Sequence, residues 1–240
     1  MNIVHCIQGS PEWLAERCGK VTASRMNDVM AYLKRGGETA ARMAYKVELV
    51  SEQLTGMAAQ HYVSAEMLWG TENEPLARAA YEMRSGNDVD QVGLVLHPSI
   101  EQAAASPDGL VGLSGILECK CPTTKTHLGW ILAGEVPEEH RDQMHWQMAC
   151  TGAEWGDFVS FDPRLPSRYQ LFIKRLPRDE GRIAELEDGV RLFLHEVDDL
   201  IEALNQKMPE LPPPAPAEMD ENGLTDDDIA AAYPAWKGNA

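Results

Sequence analysis

What most restricts the fold is a change of period halfway along the chain. Up to about Met83, apolar residues recur at helical spacing. From Gln91 onward they fall into short extended runs, Gln91 to His97, Leu110 to Val111 and Ile116 to Lys120, separated by the turns Ser106-Pro107-Asp108-Gly109 and Gly112-Leu113-Ser114-Gly115. Proline presets the backbone for a turn and glycine tolerates the conformations that close one, so these runs read as a small antiparallel sheet. Helices from about Lys125 to Ala133 and Glu138 to Cys150 follow, then strands at Asp157 to Phe161 and Arg168 to Lys174, and a long helix from about Glu180 to Lys207. That order predicts an α+β fold with a mixed central sheet flanked by helices.

The first part of the chain reads as helices with recognisable ends. Ser10 caps a helix opened by Pro11 and running to about Arg17, and Thr22 or Ser24 caps a second through Met26, Val29, Met30 and Leu33. A helix from Thr39 to Leu54 carries Met43, Val47 and Val50 toward the core and stops at Gly56. Another, His61 to about Met83, would use Met67, Leu68, Leu76, Ala79, Ala80 and Met83 in the same way, with Pro75 kinking or dividing it. These elements give one domain over residues 1–208. A proline-rich linker at 209–218 and an acidic tail at 219–240 complete the chain, the tail being either a loose terminus or a docking peptide presenting Ile229, Tyr233 and Trp236.

No run of 18 apolar residues and no secretory signal is present, so a cytoplasmic protein with no membrane contact is expected. The odd, scattered cysteines, Cys6, Cys18, Cys119, Cys121 and Cys150, fit a reducing compartment and buried thiols rather than a disulfide framework. A net charge of -17 argues against gripping nucleic acid through bulk charge. Arg17 to Lys46 runs against the trend: seven Lys and Arg less Asp28 and Glu38 leave +5, either a solvated surface or a local phosphate-facing patch.

The candidate chemistry lies on the second hairpin. Asp108 in its Pro-Asp-Gly turn is followed by Glu118-Cys119-Lys120 at the end of the apolar run Gly115-Ile116-Leu117. Side chains alternate along a strand, so Glu118 and Lys120 share a face that can meet Asp108, while Cys119 and Cys121 point away. Two carboxylates and a main-chain carbonyl suit magnesium, a hard ion that takes oxygen ligands, and metal-assisted phosphodiester hydrolysis needs such a site. Lysine beside it can orient or deprotonate a water and stabilise negative charge. Asp, a gap, then Glu-x-Lys is a weak pattern alone, because a surface ion pair produces it too. Gln143 and Gln147 on the following helix, and the buried strand leading to Glu118, strengthen it.

Six segments, QGSPEWLAERCGKVTAS, WGTENEPLARAAYE, ASPDGL, LECKCP, DQMHWQMACTG and FVSFDPRLP, occur in the order and at the approximate spacing of the bacteriophage lambda exonuclease and YqaJ-type viral recombinase family, within the PD-(D/E)xK nucleases. The resemblance runs from about Ile7 to Leu176 and implies a restriction-endonuclease-like core. It also implies a magnesium-dependent exonuclease that digests one strand of double-stranded DNA 5′→3′, leaving a 3′ overhang. One or two Mg2+ ions would sit in each site, with Mn2+ able to substitute. Asp108, Glu118 and the Cys119 carbonyl match metal ligands, Glu74 an acid at a second metal, Lys120 the catalytic lysine and Gln143 a glutamine beside the nucleophile. Arg17, Ser24 and Ser106 match a pocket for the 5′-phosphate of a duplex end. On spacing alone, Glu74 can equally pair with Arg78. His140 stands where the lambda enzyme has a tyrosine. The family further implies a homotrimeric ring, its lining drawn from the basic segment, and a single-strand annealing protein as partner. Met43, Tyr45 and Met57 are candidates for a strand-separating wedge. The alternatives are an endonuclease on the same core and a non-catalytic recombination scaffold.

Overall fold

The computed structural model describes residues 1–59 and 63–208. The chain divides into two units, 1–202 and 203–240; the proline-rich stretch and the acidic tail lie outside the described residues. Strands β1 (Asn2–Val4) and β2 (Val21–Thr22) flank helix α1 (Pro11–Arg17), and a short 3-10 turn leads into α2 (Met26–Val29). Helices α3 (Ala40–Thr55) and α4 (Ala65–Ser85) precede β3 (Val89–Asp90), β4 (Leu94–Leu96), β5 (Ala103–Ala105), β6 (Gly109–Val111) and β7 (Gly115–Lys120). Then come α5 (Thr124–Ala133), α6 (Glu138–Thr151), β8 (Trp155–Phe161), β9 (Leu171–Pro177) and α7 (Glu180–Lys207). The fold is α+β, as expected.

The strands form two mixed sheets, ordered β1-β4-β5-β2 and β3-β6-β7-β8-β9. In the larger one β7 lies between antiparallel β6 and parallel β8, the parallel connection being made through α5 and α6. The extended run expected at 91–97 is therefore not part of the hairpin sheet, because β4 pairs with β1 and β5 instead. Three consecutive alanines form β5 despite their low strand propensity, since all are fully buried and Trp146 lies against them, its indole N–H donating to the Ala104 carbonyl at 3.2 Å. The last strand begins three residues later than expected, after a 3-10 turn at Ser167–Tyr169.

Several local expectations give way to tertiary packing. Neither Thr22 nor Ser24 caps the second helix: Thr22 makes no capping bond, Ser24 sits inside the 3-10 turn, and α2 stops at Val29. Pro75 lies within an α4 that remains one element. On α4 the buried stripe is Asn73, Ala77, Arg78 and Tyr81, whereas Met67, Leu68, Leu76 and Met83 are exposed. Likewise α3 buries Arg42, Tyr45, Lys46, Leu49 and Val50, leaving Met43 and Val47 exposed. Both helices turn polar heads inward because partners await them, so counting apolar residues marks the buried face only in part: on α3 it finds Val50 but not Met43 or Val47. Burial of Tyr45 also removes it from the wedge candidates.

α6 anchors the main core. Met144, Trp146, Met148 and Cys150 pack with Ile116, Phe158, Ile183, Leu186 and Phe193. A second, smaller core between α4 and the larger sheet holds Ala77, Tyr81, Leu117, Cys119, Cys121, Val159 and Phe161.

Candidate active site

The site is built on the β6–β7 hairpin. Gly109 pairs with Leu117 across it, so Asp108 stands opposite Glu118. Two further bonds fix Asp108 there: its N–H donates to the Leu117 carbonyl at 3.1 Å, and its Oδ2 accepts the Cys119 N–H at 2.6 Å. Glycine is required at the next position, where a Cβ would lie 2.1 Å from a Val89 methyl on β3. Alternation along β7 separates the faces as the sequence implied. Leu117, Cys119 and Cys121 enter the smaller core, while Ile116 joins the main core and Glu118 turns toward α6.

Glu118 is almost wholly buried, with a side chain 1% exposed. Its Oε1 accepts from the Lys120 ammonium and from Gln143 Nε2 (2.6 Å), and its Oε2 from Gln147 Nε2 (2.5 Å). Lys120 keeps 29% of its side chain open to solvent. On the other side of Asp108, Arg78 of α4 donates both to the Asp108 carbonyl (2.8 Å) and to Glu74 Oε1 (3.0 Å). The Glu74–Arg78 pairing is thus present, and it places Glu74 near enough to act electrostatically on Asp108.

The charge state follows from crowding. Burial, then the charges of Glu118 and Glu74, push the Asp108 carboxyl well above the ordinary range, with Lys120 opposing. Burial would lower the Lys120 ammonium, but Glu118 and Asp108 outweigh it and hold the group above the usual lysine value. Burial also drives the Cys119 thiol up, and Cys121 to about 12, so both stay neutral. Neutral thiols packed in a core do not suit a soft-metal site. Among the described residues no three His, Cys, Asp or Glu side chains form a metal cage by themselves. The donors at hand are the Asp108 and Glu118 carboxylates and main-chain oxygen, a hard set carrying surplus negative charge, which fits a divalent cation with retained water.

The residues expected at a 5′-phosphate are brought together in part. Arg17 ends α1, its guanidinium lying 4.0 Å over the Trp13 ring and donating to Thr22 Oγ1 at 3.2 Å. Trp13 Nε1 donates to Ser106 Oγ at 2.9 Å, so Arg17, Trp13 and Ser106 form a row leading to Asp108. Ser24 is exposed on its turn, and no described hydrogen bond joins it to that row. A cavity of about 530 Å³ adjoins it, lined by Gln8, Trp13, Glu74, Arg78 and Asp108 among others. His140 stacks on Phe158 and meets Trp130 edge-on; burial, with the Lys120 charge adding, lowers its imidazole to about 4. Sequence reasoning named neither Trp13 nor Arg78 as part of the site and gave Gln147 no role. Gln147 and Arg78 each carried a local signal, a place one helical turn beyond Gln143 and Glu74 respectively.

Residues 12–154 match the model of the YqaJ-like viral recombinase domain. The chain belongs to that family. The match spans Trp13, Arg17, Glu74, Arg78, Asp108, Glu118, Lys120, Gln143 and Gln147. Among solved structures, this YqaJ-like chain is 47% identical to an alkaline exonuclease, LHK-Exo, from Laribacter hongkongensis, over 82% of this chain and 97% of that one, with a TM-score of 0.76. The complex of LHK-Exo with dAMP matches with the same identity and coverage and a TM-score of 0.77. A phage related exonuclease from Haemophilus somnus 129PT, 17% identical over 77% of this chain and 96% of that one, shares the fold with a TM-score of 0.60. No curated protein matches the chain.

Proposed function

We propose that this chain is a Mg2+-dependent exodeoxyribonuclease acting on duplex ends, digesting one strand 5′→3′ and leaving a 3′ overhang. The observation that carries the reading is the convergence of Asp108, Glu118 and Lys120 on one hairpin, in a chain 47% identical to nearly the whole of an alkaline exonuclease. That LHK-Exo forms a complex with dAMP supports it, since a nucleoside monophosphate is what exonucleolytic cleavage releases.

In this reading Asp108, Glu118 and the Cys119 carbonyl hold the cation, with Glu74 available to a second ion or its waters. The cation supplies a polarised water and stabilises charge on the phosphate. Lys120, held in its charged form and partly open to solvent, places positive charge beside the scissile phosphate. Gln143, bonded to Glu118 at the edge of the site, orients the attacking water. Arg17, Ser24 and Ser106 receive the 5′-phosphate, selecting an end over an interior linkage.

A homotrimeric ring and a single-strand annealing partner complete the proposal. An enclosing ring suits an acidic chain, because topology then replaces part of the attraction for phosphate. The unburied face of α4 supports assembly: Leu76 and Met83 are exposed there and line a groove of about 880 Å³ with Phe161, Leu171 and Ile173. The basic segment offers a thinner lining than its count suggests. Arg25 pairs with Asp28 and Glu48, and Arg42 and Lys46 pair with Glu38 and Glu196.

The deciding experiment is digestion of linear duplex labelled at either 5′ or 3′ end, beside closed circular duplex, with and without Mg2+. Early release of 5′-terminal label, only with metal, and intact circles are expected. Cleavage of circles, or early release of 3′ label, would overturn the reading.

A further inference from the structure

We infer that Gln147 is a positioning residue that fixes the carboxylate plane of Glu118 and thereby sets the affinity of the site for its divalent cation. The inference rests on the reading of Asp108 and Glu118 as the cation's ligands.

A glutamate terminates in a torsion with broad, shallow preferences, so a carboxylate at the end of a strand does not hold one orientation unless both oxygens are engaged. In Glu118 they are engaged unequally. Oε1 takes two donors, Lys120 and Gln143, both only partly buried and beside the space where substrate would lie. Oε2 takes Gln147, which is fully buried. Gln143 and Gln147 are one helical turn apart on α6, so their amides project from the same face and grip the two oxygens from one rigid support. The support itself cannot drift, since every residue from Met144 to Cys150 is buried.

The Gln147 amide serves this contact at a cost. Its Oε1 is buried and finds no hydrogen-bond partner among the described residues. Turning the amide over would set that oxygen against Glu118 Oε2, two acceptors in contact, so the donor assignment follows from the chemistry. A buried acceptor left unpaired is destabilising, and core packing alone is better served at this position by Met or Leu. Outer groups that orient a metal ligand in this way change metal affinity by about 10- to 100-fold when removed.

The test is Mn2+ binding to the full chain in the absence of DNA, followed by electron paramagnetic resonance, with thermal unfolding recorded for each protein. Gln147→Met keeps the volume and removes the donor. Gln147→Asn keeps a carboxamide in the helix but withdraws it by one methylene. Both are expected to bind Mn2+ about 10- to 100-fold more weakly. Met148→Leu, buried on the same helix but without a bond to Glu118, is expected to bind as the parent does. Parental affinity in both Gln147 variants, with binding lost in Asp108→Asn, would overturn the positioning role alone. Parental affinity in Asp108→Asn, or no binding by the parent protein, would overturn the metal site and this inference together.

Discussion

Arg42 and Lys46 meet Glu38 and Glu196 in one partly buried cluster; Lys120 and Arg78 meet Asp108, Glu118 and Glu74 in another. The first joins α3 to α7, has two cations for two carboxylates, and bonds them directly at 2.5 to 3.1 Å. The second has three carboxylates for two cations, and its surplus shows in Asp108, forced well above its ordinary range. A balanced cluster can close on itself and hold helices together. An unbalanced one retains unmet demand for positive charge, and that demand, rather than burial or the number of charges, separates a binding centre from a brace.

The largest effect expected from this contrast is on catalysis. Lys120→Ala should lower the rate of nucleotide release by about 10³-fold at a temperature where calorimetry shows the variant folded, measured by single-turnover digestion, and should also lower the melting temperature because Glu118 loses its counter-charge. An unchanged rate would place the chemistry elsewhere. Breaking the brace should cost stability alone: Glu196→Ala leaves Arg42, 1% exposed, without its shortest partner and should cost about 3 kcal/mol of stability, read by urea unfolding. Mn2+ affinity should then stay at the parental value, and a loss of affinity at full folding would show that the clusters are coupled.

Two smaller effects sharpen the comparison. Asp108→Asn relieves the surplus, so the metal-free variant should be more stable than the parent by about 1 kcal/mol, roughly 2–4 °C in melting temperature. Glu196 gives a pH signature. Burial pushes its carboxyl up, but hydrogen bonds from Arg42 and Lys46 outweigh that and hold it below the usual glutamate value. Its stabilisation is therefore complete above the unfolded-state value of about 4.3 and is lost as pH falls through the lower folded value. Melting curves from pH 6 downward should show a loss in the parent that is shallower in Glu196→Gln.

The hairpin was legible in the sequence because its determinants are local: a Pro-Asp-Gly turn, a glycine turn and alternation along six residues place Asp108, Glu118 and Lys120 without reference to the rest of the fold. The helix end at Gly56 was legible for the same reason, as that glycine adopts the left-handed conformation that closes a helix. What the sequence hid depends on distant partners. Nothing near Arg42 announces Glu196, so the apolar residues Met43, Val47 and Val50 point to the inward face of α3 only through Val50. Nothing near Ala103 to Ala105 announces the indole of Trp146, so no strand was expected there. Trp13 escaped for a similar reason: its link to Ser106 spans 93 residues and exists only after β5 and α1 have met.

α6 carries a consequence of its own. The helix that presents Gln143 and Gln147 to the hairpin also supplies Trp146 and Met144 to the centre of the main core, on the turns between them. Its amide hydrogens should therefore exchange with solvent only through whole-molecule opening, as slowly as any in the chain. Heat or denaturant should then abolish cation binding and cooperative structure at the same midpoint, with no softened intermediate in which one outlives the other.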